Sequence, residues 1–205
     1  MALSPRVIQA IIEYCQNQNY KLFTNPGEYN ILYVEGMDTE GELNNDSPNQ
    51  FNDVRVVLNS NFQLCGNWSA TTEPGRFYTL NPMNKKGAAR IAFGQFKAWS
   101  VGNHGNSEPH RALLQVSPVK VFRDANKDGL RTGDAVDEGL FGINQHWGYD
   151  LPLDDIRKAS AGCLVGRTRQ GHQQFMNIIT GDVRYHRDRS FVFSTIIIPG
   201  DKLKL

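Results

Sequence analysis

Apolar residues fall along this chain in short blocks, several of them rich in β-branched residues and most bounded by Pro, Gly, Asn or Asp. That rhythm predicts many short strands joined by turns. Residues 29–34 and 54–58 are the clearest strands, and the Asn-, Asp- and Gly-rich segment 38–52 between them predicts a long loop. Further strands are expected at 62–64, 76–80, 89–93, 98–101, 112–115, 119–122 and 140–144, and a buried one at 191–198, ended by Pro199-Gly200. Two helices interrupt the pattern. Ser4-Pro5 supplies a cap and a first-turn proline, after which Val7, Ile8, Ile11 and Ile12 recur at helical spacing to about Tyr14. Around 171–179, Phe175, Met176, Ile178 and Ile179 form a second inward face. The sum is a mostly β fold, a sandwich or barrel with a few short helices. Residues 1–19 read as an N-terminal helix and 20–205 as one domain, with no internal repeat, low-complexity tract or linker.

Composition narrows the function classes. With 205 residues, 40% hydrophobic and 21% charged, the chain can bury a real core. Lys and Arg number 22 against 21 Asp and Glu, which leaves no basic excess for phosphates and argues against nucleic acid. No apolar run approaches the roughly 18 to 20 residues needed to span a bilayer, so no membrane insertion is expected. The N-terminus lacks a charged stretch leading into an apolar one, so the expectation is synthesis in the cytoplasm without a signal peptide. Cys15, Cys65 and Cys163 are odd in number and widely spaced, fitting neither a disulfide framework nor a zinc site. Cys15 and Cys65 read as small buried hydrophobes.

Cys163 differs because of its neighbours. It ends Ser160-Ala161-Gly162-Cys163, seventeen residues after His146. A thiol attacks as thiolate, and an adjacent imidazole is the usual acceptor of its proton, which predicts a ring nitrogen within about 4 Å of the sulfur. Gly162, lacking a Cβ, lets a carbonyl approach, so the Gly162 and Cys163 N–H groups are candidate oxyanion donors. On chemistry alone, the same turn serves equally well as a structural entry to a core strand.

His104, in a Gly-flanked loop expected after a strand, is a candidate second imidazole, and Tyr78 a candidate groove residue. His110, His172 and His186 lie among polar neighbours and receive no role. Asp124, Asn126 and Asp128 open like a calcium loop, but the twelfth position is Ala135 rather than Glu. A tight Asx-rich turn without an ion is the favoured reading, a structural calcium the alternative.

Three stretches resemble, in order, the L,D-transpeptidase (YkuD-like) catalytic domain. Thr71-Thr-Glu-Pro-Gly-Arg-Phe77 is similar to the family's Thr-Pro-x-Gly-x-Phe, Phe141-Gly-Ile-Asn-Gln-His146 to its Gly-x-x-Ile-His, and Ser160-Ala-Gly-Cys163 to its Ser-His-Gly-Cys. From about Tyr20 onward the chain most resembles an uncharacterised phage and prophage branch. Three positions depart from the pattern. Ala161 replaces the family His, Trp147 follows His146 where the family has Gly, and Val165 stands in place of an Arg, with Arg167 the nearest basic residue.

The resemblance implies an L,D-transpeptidase-type fold and a cysteine acyl-transfer enzyme acting on peptidoglycan stem peptides, cleaving or cross-linking them through a thioester. Cys163 and His146 would be catalytic, with substrate contacts at Ser160, Ala161, Trp147, Arg167, His104 and Tyr78. No cofactor is required by this chemistry. The protein would reach the wall by lysis or as part of a phage particle. The alternative is a non-catalytic virion or wall-binding module that keeps the fold. A papain-like peptidase is a third reading, although it would place its His well after its Cys, where only His172 and His186 occur.

Overall fold

The computed structural model describes residues 2–205, and Met1 lies outside the described residues. In chain order the elements are α1 (Pro5–Asn17), β1 (Tyr29–Glu35), β2 (Asp53–Asn59), β3 (Leu64–Thr71), α2 (Arg76–Leu80), β4 (Ala88–Ile91), β5 (Gly94–His104) and β6 (His110–Gln115). There follow β7 (Val119–Asp124), β8 (Ala135–Gly139), β9 (Gln145–Trp147), β10 (Leu164–Gly166), α3 (Arg169–Thr180), α4 (Val183–Arg187), β11 (Phe193–Pro199) and a 3-10 turn at Gly200–Lys202. Eight strands close into a barrel in the order β1, β11, β5, β6, β9, β10, β3, β2, while β4, β7 and β8 form a separate three-stranded sheet. Of the two architectures the strand pattern allowed, the chain adopts the barrel. Among the described residues no helix is long and apolar enough to cross a membrane.

The continuous apolar run of β1 follows from its burial on both faces. Ile31 and Tyr33 join a cluster with Val57, Trp99, Leu113, Leu164 and Phe175, whereas Leu32 and Val34 join Val54, Val56, Ile196 and Ile198 under α1. Ser4 caps α1 by accepting the Val7 N–H at 3.3 Å, and the helix turns Ile11 and Cys15, both fully buried, onto that second cluster. Truncating Ile11 to Ala would cost about 2–5 kcal/mol, the usual range for a buried aliphatic side chain. Thr168 caps α3 in the same way through Gly171 N–H at 3.0 Å. That helix contacts β3, β6, β9 and β10.

Several expected strands take other forms. Residues 76–80 are helical: Gly75 is the N-cap and accepts from Tyr78 and Thr79, while Asn49 holds Arg76 N–H. The Pro-Gly turn and these contacts override the strand preference of Phe-Tyr-Thr. Residues 140–144 form no strand because the Gln115 side chain, not a neighbouring strand, takes the Phe141 and Ile143 N–H groups, and Gly142 turns the chain at φ +73. Phe62 sits at φ +60 in a turn, so β3 begins only at Leu64.

Candidate functional site

Cys163 stands at the entry to β10, in a loop braced by Ser160. The fully buried Ser160 hydroxyl donates to Cys163 O at 2.9 Å and accepts Gly162 N–H at 3.0 Å, and Ser160 O accepts Gly75 N–H. Ser160 is therefore committed to shaping the loop rather than to contacting a substrate. Gly162 lies at φ +124, and a Cβ there would sit 2.4 Å from Ala89 O, so both backbone and space require glycine. Its N–H is already taken by Ser160. Of the two backbone oxyanion donors expected, only that of Cys163 is left.

The thiol and the imidazole reach the same groove from adjacent strands. β9 and β10 pair in parallel with Val165 opposite His146, and both Cys163 and His146 line a groove of about 520 Å³. The Cys163 thiol donates to Gly142 O and its sulfur accepts Asn144 N–H, both at 3.4 Å. No hydrogen bond joins sulfur to imidazole; in the resting protein the thiol proton is given to Gly142. Burial pushes the Cys163 thiol up to about 11, against the opposing pull of the Asn144 N–H. His146 Nδ1 lies 2.8 Å from Trp147 O, which can only accept, so Nδ1 carries the proton and Nε2 the lone pair. Burial, and next the neighbouring His104, push His146 down to about 3. Both partners are thus neutral at any pH between these values.

Three further imidazoles surround His146. His104, the last residue of β5, stacks on it at 4.0 Å and 9° and lines the groove. His110, expected to lie in polar surroundings, is buried and stacks on Trp147 at 3.7 Å. His172 is buried as well, accepting from Arg55 at 3.2 Å and donating to Arg111 O at 2.9 Å. Only His186, exposed on α4, keeps the solvated character its neighbours predicted. Burial comes first among the causes that push His172 down to about 2. β6 and α3 carry two of these rings, so only closure of the barrel brings them together.

Ala161 and Tyr78 also line the groove, Tyr78 from α2 rather than from a strand. Two expected contacts lie elsewhere. Trp147 is buried beneath His110, and Arg167 donates to Leu151 O at 2.9 Å; neither lines the groove. In their place are two cations that sequence reasoning passed over. Lys158 lies over the Phe77 ring at 4.1 Å, and Arg123 over Phe141 at 4.3 Å. Among its lining residues there is no carboxylate.

The Asp124 loop is closed on itself. Asp124 accepts Lys127, Asp128 and Gly129 N–H groups, Asn126 accepts Asp128 N–H, and Asp128 accepts Leu130 N–H. Its side-chain oxygens therefore serve as Asx-turn acceptors. Among the described residues, no group of three or more His, Cys, Asp or Glu is arranged to hold a metal ion. Cys15 is buried as expected, but Cys65 is exposed, because β3 turns it to solvent. No protein-family model, no curated protein and no solved structure matches this chain.

Proposed function

We propose that this chain is a cysteine acyl-transfer enzyme of the L,D-transpeptidase-like type, acting on peptidoglycan stem peptides. The observation that carries the reading is the shared groove: Cys163 and His146 both line it, and Trp147 O fixes the ring so that a lone pair stays on Nε2. With the thiol near 11 and the imidazole near 3, no thiolate–imidazolium pair waits in the free protein. The thiol instead gives its proton to His146 Nε2 as the sulfur bonds to the substrate carbonyl carbon. The carbonyl electron pair moves to oxygen and then returns, expelling the leaving amine, which takes the proton from His146. A thioester results, to be resolved by an amine acceptor or by water.

Lys158, with no carboxylate in the groove lining, suits a substrate bearing a free carboxylate, as stem peptides do, whereas Arg123 is already paired with Asp137 at 3.0 Å. The site would meet that substrate after lysis or from a phage particle. Incubation with purified peptidoglycan, followed by mass analysis of products and of Cys163 for an acyl adduct, tests the reading. Cleaved or cross-linked stem peptides support it.

A second reading is a non-catalytic wall-binding or virion module. It draws on the thiol donating its hydrogen bond to Gly142 O and on Ala161 where the family has His. Binding to peptidoglycan with neither product nor adduct would establish it in place of the first.

A further inference from the structure

The two imidazoles on the groove are held in opposite tautomers, and backbone groups fix both. Asn144 Oδ1 accepts Gln115 N–H at 2.9 Å, and a backbone amide can only donate there. The other arm of the Asn144 amide is therefore the NH2, and it lies 3.1 Å from His104 Nδ1. His104 Nδ1 must accept, which puts the ring proton on Nε2. His146 has the reverse arrangement, because Trp147 O holds its Nδ1–H. The rings stack 4.0 Å apart, and neither Nε2 has a partner among the described residues or is sealed from solvent. The groove thus presents one lone pair and one N–H side by side.

An attacking thiol needs both. The lone pair takes the thiol proton, and the developing oxyanion needs donors, of which Ser160 has removed Gly162 N–H. We infer that His104 supplies the missing donor, its Nε2–H binding the substrate carbonyl oxygen together with the Cys163 N–H. This assignment rests on the acyl-transfer reading and gives the lost donor a replacement from another strand. In the step itself the S–C bond forms, the C=O pair moves onto an oxygen held by His104, and the thiol proton passes to His146 Nε2. Collapse restores the C=O bond and releases the leaving group with that proton. Burial, and then His110, keep His104 below the ordinary histidine value, so it acts as a neutral donor. Asn144 is a positioning residue twice over, through its side chain on His104 and through its N–H on the sulfur.

The test compares two reactions at Cys163, read by peptide mass: acylation by p-nitrophenyl acetate, which passes through an oxyanion, and alkylation by iodoacetamide, which does not. His104→Phe keeps a flat ring beside His146 but has no N–H, and the ratio of acylation to alkylation should fall about 100-fold, the effect of losing one such donor. His104→Gln, which retains an amide donor, should recover part of that loss. In parallel, nitrogen-15 spectra of labelled histidines should show the wild-type His104 proton on Nε2. Asn144→Asp, whose carboxylate can only accept, should move it to Nδ1 and lower the acylation ratio. An unchanged ratio in His104→Phe, or a wild-type proton on Nδ1, overturns the assignment while leaving acyl transfer intact. Alkylation of wild-type Cys163 without any acylation overturns the acyl-transfer reading and this assignment together.

Discussion

Asn144 N–H points at the Cys163 sulfur from 3.4 Å, although that sulfur rests as a protonated thiol. The contact is a poor hydrogen bond to a thiol and a much better one to a thiolate, so it favours the charged form.

The titration of the thiol follows from this. Alkylation of Cys163 should be very slow at pH 6 and climb about tenfold per pH unit toward its value near 11, since only the thiolate reacts. Rates are read by peptide mass, which separates Cys163 from the exposed Cys65. An inflection near pH 7 would show instead a thiolate already formed against His146.

Replacing the sulfur should silence the site without unfolding the chain. Cys163→Ala is expected to abolish product formation on peptidoglycan while its melting curve stays close to wild type. Cys65→Ala, at an exposed position, should change stability by no more than about 0.5 kcal/mol and leave activity intact. Loss of activity in that variant, with Cys163→Ala still active, would identify the wrong thiol.

The loop before Cys163 should tolerate little. Gly162→Ala combines a positive φ with a contact to Ala89 O, and a loss of about 3 kcal/mol is expected, at the upper end of ordinary substitutions. Ser160→Ala leaves the Gly162 N–H and Cys163 O without their partner, which should cost about 1–3 kcal/mol. Urea unfolding measures both, and near-neutral values would mean that the loop relaxes freely.

A cluster away from the groove makes stability fall as pH rises through neutrality. Asp46, facing Arg90 alongside Glu35 and Glu73, is raised to about 7, chiefly by burial and then by Glu35. The folded chain keeps that proton above the unfolded value of about 3.9, so the contribution is complete below that value and is lost as pH rises through 7. Asp53, raised to about 8, acts in the same direction. His146 and His172, both lowered, act in the opposite sense, but only below about pH 6.5. Between pH 6.5 and 8 the urea midpoint should therefore fall, and fall less steeply in Asp46→Asn near pH 7. Parallel curves for the two proteins would remove Asp46 from the account.

Calcium should leave the melting temperature where chelator puts it, because the Asp124 loop is already held by its own N–H groups. Asp124→Ala strands those donors and should cost about 1–3 kcal/mol with or without the ion. A rise in melting temperature with millimolar calcium, abolished in Asp128→Ala, would restore the ion reading.

What could be read directly from the residues were features written locally: the Ser4-Pro5 cap of α1, the apolar, β-branched run of β1, and the loop over 38–52. Residues 76–80 misled because Phe-Tyr-Thr prefers strands until a distant Asn49 and the Pro-Gly turn intervene. Cys163 and His146 stand out through the resemblance of their stretches to a family pattern, since a thiol after Gly with an imidazole upstream leaves a structural turn equally open. His110 and His172 could not, since their burial arises from barrel closure rather than from their neighbours. Asn144 lies inside one of the stretches that resemble the family pattern but receives no role from it; its importance lies in four hydrogen bonds to residues far from it in sequence.

The three-residue strand β10 is the keystone of the ring: it alone links β9 to β3, and it begins one residue after Cys163. Until that strand docks, the thiol and the imidazole have no common groove. Closing the barrel and assembling the groove are therefore a single event, and a partly unfolded copy carries a Cys163 thiol released from the burial that raises it.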